Sequence, residues 1–315
     1  MERIGETHIG STWREEDGCP MDHARMMRRI EELADCYSCL SVSYIGESIL
    51  GRGIPILTLG TGEKGVLYVG AHHGMEWITS MLLLRFVKDC CDLYQRNGKL
   101  MHISVPYLLS TRTLYLVPML NPDGVEYQIH GVPKDHILYD RVLAMNGGSE
   151  DFSHWQANAR GVDLNHNYNS GFVDYKRLEM EQGILSGAPT RYSGEMPESE
   201  PEVGHLCNLI RYHEELKLVL SLHTQGEEIY YRSGDKTLPR SASIARSLGA
   251  ISGYKPSKAE GAAAYGGLTD WCVGEQDLLA FTIECGKGEN PLPIRDSFSI
   301  YARIRDLLFC APTMI

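Results

Sequence analysis

The sequence predicts a single-domain α/β protein in which three layers, α/β/α, surround a mixed and mostly parallel central sheet. Strand patterns alternate with amphipathic helix patterns along the chain, which is typical of a sheet covered by helices on both faces. Three strand patterns are nearly continuous apolar runs, as expected of strands buried on both faces: KGVLYVGA, TLYLVPML and LLAFTIE. The 315 residues contain no repeat, low-complexity tract or domain-splitting linker, so we expect one domain.

The first elements follow from local patterns. Residues 22–35 carry apolar side chains at helical spacing, and Asp22 can cap that helix. Residues 41–62 indicate two strands joined by a glycine-containing turn. A buried strand over residues 64–71 and a strongly apolar helix over residues 76–95 follow.

In the second half, the strand TLYLVPML runs into the sequence Asn121-Pro122-Asp123-Gly124, which predicts a turn. Residues 131–160 and 186–201 are expected to be loops, the first with short helices. The remaining elements are, in order, a helix over 201–215, a strand over 217–223, a helix over 239–253 closed by Gly253, a strand over 278–284 and a helix over 297–310.

Composition restricts the function classes. The net charge of −11 makes the chain a poor ligand for polyanions, so we expect no nucleic-acid or membrane partner. The polar N-terminus lacks the apolar segment of a secretory signal, and no long apolar stretch predicts a membrane span, so we expect a cytoplasmic location. The nine cysteines, including an isolated CxxC at Cys36 and Cys39, are expected to be buried or half-buried thiols in a reducing compartment.

Four residues, each at or just after the end of a β-rich run, predict a metal site: His73, Glu76, His223 and Glu284. Catalytic zinc usually takes three protein ligands and leaves a fourth position for water. His73 and Glu76 are three residues apart at a predicted helix start, so both can face one point, and His223 can supply the third ligand. Glu284 is the candidate carboxylate for proton transfer during metal-assisted hydrolysis. His72 is an alternative ligand.

Five segments strengthen this interpretation, in this order along the chain: GAHHGMEW, PMLNPDGVEY, NARGVDLNHNY, LSLHTQGEEIY and FTIECGKGENP. With these segments, the chain resembles the zinc carboxypeptidase family from about Ile54 to Pro293. The resemblance implies a carboxypeptidase-like fold.

Position by position, the resemblance also implies roles for individual residues. His73, Glu76 and His223 would bind one zinc ion per chain. Glu284 would act as general base and then as general acid. Asp163 would orient His73 through a hydrogen bond, as partners of metal-bound imidazoles normally do.

The segments NARGVDLN and SLHTQGEEIY are most similar to a bacterial branch of the family, the γ-D-glutamyl-L-diamino-acid endopeptidases. Members of this branch cut stem peptides of peptidoglycan, so the implied substrate is a peptide or muropeptide. The expected organisation is one zinc-peptidase domain over residues 1–315, with an N-terminal helix and first strand in 1–50, the catalytic core in 51–295 and a C-terminal helix in 296–315.

Two departures from the family pattern concern arginines. Asn165 is followed by His166, where typical carboxypeptidases have an arginine that clamps the terminal carboxylate of the substrate. A second family arginine, which polarises the scissile carbonyl, aligns with Gln156, and Arg160 is the nearest charged substitute. We therefore expect Asn165, His166 and Gln156 to contact substrate and Arg160 to serve at the carbonyl.

The tyrosine that covers the substrate in the family aligns with Ala262, and Tyr265 lies three residues further along, in a glycine- and alanine-rich stretch typical of a mobile loop. Asp270 can pair with an amine of a diamino acid or cap the helix that holds Trp271. Three alternatives to the endopeptidase interpretation stay open: a general metallocarboxypeptidase, an amidohydrolase that releases an N-acyl group, and a non-catalytic binding protein on a peptidase scaffold.

Overall fold

The computed structural model describes residues 18–315 and contains the predicted fold, a mixed β-sheet between two layers of helices. The strands are β1 (Leu40–Glu47), β2 (Gly53–Leu59), β3 (Lys64–Val69), β4 (Lys99–Leu100), β5 (Ile103–Ser104), β6 (Arg112–Val117), β7 (Leu216–His223), β8 (Glu228–Tyr230), β9 (Lys255–Ser257) and β10 (Leu279–Glu284).

The helices are α1 (His23–Cys36), α2 (Ile78–Gln95), α3 (Val105–Thr111), α4 (Pro122–His130), α5 (Tyr139–Met145), α6 (Phe172–Glu181), α7 (Pro201–Tyr212), α8 (Ser241–Ser252), α9 (Leu268–Glu275) and α10 (Ser297–Cys310). Within residues 18–315, no helix is both long enough and apolar enough to cross a membrane.

The main sheet has eight strands in the order β1-β2-β6-β3-β7-β10-β8-β9. The four central strands β6, β3, β7 and β10 are parallel to one another, whereas β1, β2 and β8 introduce antiparallel pairs. The carboxyl ends of the central strands therefore meet at one edge of the sheet, where open α/β folds place their sites. The short strands β4 and β5 form a separate antiparallel pair.

The two faces of the sheet bury different helices. On one face α1, α2, α8 and α10 pack on the strands, with Tyr68, Phe86 and Phe309 in ring contact at its centre. On the other face α7 and α9 pack around Trp271. Helices cover both faces of the central strands, so neither face meets water. This burial accounts for the continuous apolar runs of these strands.

Local signals predicted most element ends. Asp22 caps α1 as expected, with Oδ1 accepting a hydrogen bond from the backbone N–H of Arg25 at 2.8 Å. The turn predicted at residues 121–124 is wrong, because these residues begin α4. Asn121 is its N-cap and accepts the N–H of Gly124 at 2.9 Å, and Pro122 occupies the first turn. Asn and Pro favour helix starts as strongly as they favour turns.

All nine cysteines are free thiols. Six of them are buried, as expected: Cys90, Cys91, Cys207, Cys272, Cys285 and Cys310. The expectation of burial is wrong for Cys36, which is exposed at the end of α1, because the last turn of this helix faces solvent.

A buried carboxyl group lies at the start of α7. Glu202 is inaccessible to solvent, and Asn158 and the backbone N–H of Ile49 contact its oxygens at 3.4 Å. Burial raises the pKa of Glu202 to about 8, and the neighbouring carboxylates of Asp123 and Glu200 act in the same direction. This group is therefore protonated in the folded protein at neutral pH.

This protonation predicts a pH-dependent stability. The folded state holds a proton on Glu202 up to pH about 8, whereas the unfolded chain releases it near its ordinary pKa of 4.5. The free energy of unfolding therefore falls as pH rises between these values, by up to about 1.4 kcal/mol per pH unit. We expect Glu202→Gln to flatten this fall in denaturant titrations at pH 6 and pH 8, and the exposed change Glu31→Gln to leave it unchanged. Parallel pH slopes for wild type and Glu202→Gln would contradict this assignment.

Candidate metal centre

The chemistry-bearing residues lie at the carboxyl edge of the sheet. His223 is the last residue of β7 and Glu284 is the last residue of β10, and the two are paired in register in adjacent parallel strands. His73 follows β3, and Glu76 ends a 3₁₀ turn over Gly74–Glu76 that leads into α2. The β3–α2 connection and the ends of β7 and β10 therefore bring these four side chains together at the carboxyl edge of the sheet.

His73, Glu76 and His223 form a convergent triad. The Nδ1 atom of His73 is 2.9 Å from Oε1 of Glu76, and the Nδ1 atom of His223 is 3.0 Å from Oε2. The candidate donor atoms of all three residues lie within 4.8 Å of one another. The His73 side chain is 12% exposed, against 2% for each of the other two, so the triad opens to solvent on the His73 side.

In each imidazole of the triad, the Nε2 atom, which points away from Glu76, has a hydrogen-bond partner of its own. The Nε2 atom of His73 is 3.2 Å from Oδ1 of Asp163, and Asp163 also accepts the backbone N–H groups of Asn165 and Arg191. The Nε2 atom of His223 is 3.1 Å from the Ser221 hydroxyl. Both Nδ1 atoms therefore face the Glu76 carboxylate, on the side where a metal ion would be held. Two imidazole nitrogens whose rings are each supported by an outer partner, together with one carboxylate, fit a catalytic zinc ion.

The electrostatics of the triad also suit a cation. Burial disfavours a charged His73, but the carboxylates of Glu76 and Asp163 outweigh it and raise its pKa well above the usual value. Burial acts to raise the pKa values of these two carboxyl groups, yet the nearby imidazoles lower both. The surroundings therefore stabilise positive charge between two ionised carboxylates, which is the environment that a divalent metal needs.

Glu284 stands beside the triad as a further carboxyl group and is half-buried. Burial, together with the negative charge of Glu76, raises the pKa of Glu284 to about 8. A cation in the triad acts in the opposite direction and favours the ionised carboxylate. Glu284 can therefore exchange a proton near neutral pH next to a cation site, which is the requirement for a general base and acid.

The alternative ligand, His72, faces away from the triad. Its Nε2 atom is 2.9 Å from the Tyr168 hydroxyl, and its Nδ1 atom is 3.5 Å from the Ser221 hydroxyl. The residue is fully buried, and burial lowers its pKa well below the usual value, so the imidazole is neutral. Both ring nitrogens of His72 are thus used within the protein.

Two of the expected substrate contacts lie together beside Asp163. Asn165 is half-buried and its Oδ1 accepts the backbone N–H of Leu268 at 3.1 Å. His166 packs its ring flat on Tyr175, with ring centroids 4.0 Å apart, and its Nδ1 is 2.8 Å from the backbone oxygen of Tyr265. Burial lowers the pKa of His166, so this residue presents a neutral imidazole.

Another expected substrate contact, Asp270, has a hydrogen-bond partner within the protein. Asp270 is 5% exposed and is the third residue of α9, where its carboxylate accepts the backbone N–H of the N-cap residue Gly267. Burial raises its pKa to about 7. This contact fits the capping alternative, and the role of Asp270 as an amine ligand stays a prediction.

The two residues expected near the scissile carbonyl differ in position. The backbone oxygen of Gln156 accepts the N–H of Gly74 at 2.8 Å, and its side chain is hydrogen-bonded to the Thr190 hydroxyl. Gln156 therefore lies against the turn that carries the triad. The Arg160 side chain is half exposed and its guanidinium is 3.8 Å from Glu200. The role of Arg160 at the carbonyl stays a prediction, and its observed ion-pair partner is at the start of α7.

The sequence interpretation missed two residues that contact the site, Ser221 and Tyr168. A signal existed for Ser221, since residues two apart on a strand point to the same face and Ser221 precedes His223 by two. Tyr168 offers no such signal, because only the tertiary fold brings it to His72, 96 residues earlier in the chain.

Gly74 sits inside the turn between the two first triad residues and has no room for a side chain. A Cβ atom there would lie 2.4 Å from the backbone oxygen of Gly124 and 2.7 Å from that of Trp155. We expect Gly74→Ala to lower the free energy of unfolding by about 1–3 kcal/mol and to weaken zinc binding, because the turn must shift.

A matched glycine provides the control for this change. Gly204, in the interior of α7, has its nearest atom at 4.0 Å, so Gly204→Ala should stabilise the helix by roughly 0.5–1 kcal/mol and leave zinc binding unchanged. Denaturant unfolding and zinc titration of both variants test the pair. Equal zinc affinity of Gly74→Ala and wild type would refute the packing argument.

Comparisons with known proteins find relatives over most of this chain. The zinc carboxypeptidase family matches residues 26–303. Gamma-D-glutamyl-L-diamino acid endopeptidase 1 of Lysinibacillus sphaericus is 34% identical over 291 residues, which cover 92% of this chain and 72% of that protein. Uncharacterized protein YqgT of Bacillus subtilis is 31% identical, over 96% of this chain and 80% of its own. Among solved structures, thrombin activatable fibrinolysis inhibitor superposes with a TM-score of 0.72 at 20% identity, over 94% of this chain and 74% of its own.

Proposed function

Since this chain belongs to the zinc carboxypeptidase family, we propose that it hydrolyses the bond between γ-D-glutamate and a diamino acid in peptidoglycan stem peptides. The observation that carries the hydrolytic chemistry is the convergence of His73, Glu76 and His223, with Glu284 beside them. The substrate class is supported by the similarity to the Lysinibacillus sphaericus endopeptidase, 34% identical over 92% of the chain.

In this proposal His73 and His223, through their Nδ1 atoms, and Glu76, through its carboxylate, hold one zinc ion. When bound, zinc polarises the scissile carbonyl and lowers the pKa of a water molecule to about 7. The Glu284 carboxylate would take a proton from the attacking water as the new C–O bond to the scissile carbonyl carbon forms. It then gives that proton to the departing nitrogen as the C–N bond breaks, and the second proton of the water passes from the new carboxyl group to the released amine, which leaves a carboxylate on γ-glutamate and a protonated amine on the diamino acid.

His166 does not supply the carboxylate clamp of an ordinary carboxypeptidase, which argues against general C-terminal exopeptidase action. A neutral imidazole, stacked on Tyr175, lacks the fixed charged fork with which an arginine binds a carboxylate. We keep Asn165 and His166 as proposed substrate contacts. Tyr265, whose backbone oxygen meets His166, belongs to the same proposed surface. Asp270, which is buried at the start of α9, stays a predicted substrate contact.

The remaining assignments stay predictions of the same interpretation. They concern Gln156 and Arg160 at the carbonyl oxygen, the cytoplasmic location, and the organisation of residues 1–315 as one zinc-peptidase domain. An oxyanion donor is worth about 2.7–4 kcal/mol in enzymes of this kind. Replacing the true donor would therefore reduce kcat by about two to three orders of magnitude.

Digestion of L-Ala-γ-D-Glu-diaminopimelate by the zinc-loaded protein tests the proposed function, with products identified by mass spectrometry. We expect free diaminopimelate to be released by the wild-type protein. A matched peptide with an L-linked C-terminal residue should be cut far more slowly. If the L-linked peptide were cut and the γ-D-linked one were not, the protein would be a general metallocarboxypeptidase. If neither peptide were cut by zinc-loaded protein, the peptidase proposal would fail.

A further inference from the structure

We propose that a buried hydrogen-bonded chain, Ser221–His72–Tyr168, orients His223 towards the metal position. This inference rests on the proposed function, since it takes His223 as a zinc ligand. The three residues are positioning residues that act through His223.

The contacts form a continuous line behind the triad. The Ser221 hydroxyl is 3.1 Å from Nε2 of His223 and 3.5 Å from Nδ1 of His72, and the Tyr168 hydroxyl is 2.9 Å from Nε2 of His72. Ser221 is 1% exposed, and His72 and Tyr168 are inaccessible to solvent. The rings of His72 and His223 also stack, with centroids 5.1 Å apart and an angle of 28° between their planes.

The direction of the hydrogen bonds follows from the ligand role of His223. If Nδ1 binds the metal, Nε2 carries the proton and donates to the Ser221 hydroxyl. That hydroxyl then donates to Nδ1 of His72, which leaves Nε2 of His72 to donate to Tyr168. One arrangement of protons thus satisfies every contact in the chain and fixes the tautomer of both imidazoles.

Burying the polar groups of the Ser221–His72–Tyr168 chain costs desolvation free energy, which favours a functional reason for their presence. Ser221 lies in the central strand β7 and His72 follows the end of β3, in a buried region where purely apolar side chains would pack without any hydrogen-bonding demand. Buried polar groups are tolerated there only when they are fully paired. His73 obtains the same support from a charged partner, Asp163. The two proposed imidazole ligands therefore have different hydrogen-bond partners: His73 has the carboxylate of Asp163, and His223 has the neutral hydroxyl of Ser221.

Two conservative variants test the chain. Ser221→Ala removes the acceptor for His223, and we expect about 10- to 100-fold weaker zinc binding in chelator competition. Tyr168→Phe removes only the distant hydroxyl, and we expect about 3- to 10-fold weaker binding, the size of one hydrogen bond. In the cobalt-loaded variants the visible absorption bands should shift, because the ligand geometry changes. Thermal unfolding of each metal-free variant establishes that it is folded.

A matched control separates this effect from the loss of any buried hydroxyl. Within the described residues, the Tyr127 hydroxyl is buried without a hydrogen-bond partner, so Tyr127→Phe should leave zinc affinity and the cobalt spectrum unchanged. In a double-mutant cycle, the effect of Tyr168→Phe should disappear in the Ser221→Ala background, because the chain is already broken. A purely structural role predicts additive effects.

The outcomes distinguish this inference from the proposed function. Wild-type zinc affinity and cobalt spectra in both variants, or additive effects in the cycle, would overturn the positioning role, while zinc binding and peptide cleavage by the wild-type protein would leave the proposed function standing. Failure of the wild-type protein to bind zinc would overturn both. Non-additive losses of affinity, with Tyr127→Phe unchanged, would establish the chain.

Discussion

Replacing Glu284 by Gln is expected to lower kcat by about 10²- to 10⁴-fold while one zinc ion stays bound per chain. The amide keeps the size and the hydrogen-bonding reach of the carboxyl group, but it cannot accept the proton of the attacking water. Glu284 also stands outside the triad, since the clustered donor atoms belong to His73, Glu76 and His223. The variant should therefore lose proton transfer and keep the metal.

The matched control is Glu228→Gln. Glu228 lies directly across from Glu284 in the antiparallel β8–β10 pair, and its oxygens accept the hydroxyl groups of Tyr230 and Ser257. Its loss changes the local negative charge without removing the proposed base. We expect the Glu228 variant to retain most of its activity on the γ-D-linked tripeptide. Near-wild-type turnover by Glu284→Gln with bound zinc would show that another group acts as the base.

Replacing His223 by Ala is expected to reduce bound zinc from one ion per chain towards zero and to lower kcat/KM by about 10³-fold or more. His223 supplies one of the three donor groups, and a site with two protein ligands holds zinc weakly. The residue is 2% exposed and ends a central strand, so the change also leaves a cavity beside Glu76. Metal analysis after dialysis, together with tripeptide cleavage, measures both effects.

A surface histidine gives the comparison for this variant. The His130 side chain is 53% exposed at the end of α4, so His130→Ala should keep full zinc content and activity. Excess zinc should restore part of the activity of His223→Ala only at concentrations far above those that saturate the wild type. Stoichiometric zinc in dialysed His223→Ala would remove this residue from the ligand set.

Glu284→Gln and His223→Ala should differ in zinc content, and a general loss of folding in both proteins would not produce this difference. Glu284→Gln should separate metal content from turnover, whereas His223→Ala should lose both together. Glu284 and His223 are paired in register on adjacent strands, but only His223 belongs to the cluster of candidate metal donors. The contrast between the two variants follows from this difference. Circular dichroism of both proteins provides the check that the central sheet is intact.

Much of the fold was predictable from local patterns. Continuous apolar runs predict β3, β6 and β10, because strands buried on both faces carry few polar residues. The end of α8 at Gly253 and the bounds of α10 followed from capping and periodicity. The helices α3 and α6 were not assigned, since each is short and its apolar residues show little helical periodicity. The sequence Asn121-Pro122 predicts a turn where α4 begins, because turns and helix starts both favour Asn and Pro.

By itself, the sequence determined the layered α/β architecture and the identity of the candidate triad and base, because strand patterns and the residues at strand ends are local properties of the chain. Only the tertiary structure decided which nitrogen of each imidazole faces Glu76, that Arg160 pairs with Glu200, and that Ser221, His72 and Tyr168 stand behind His223. These contacts join residues as much as 149 positions apart, and their distances depend on how the strands and loops pack. Hydrogen bonds are decided within a few tenths of an ångström, a scale that residue type and spacing along the chain do not specify.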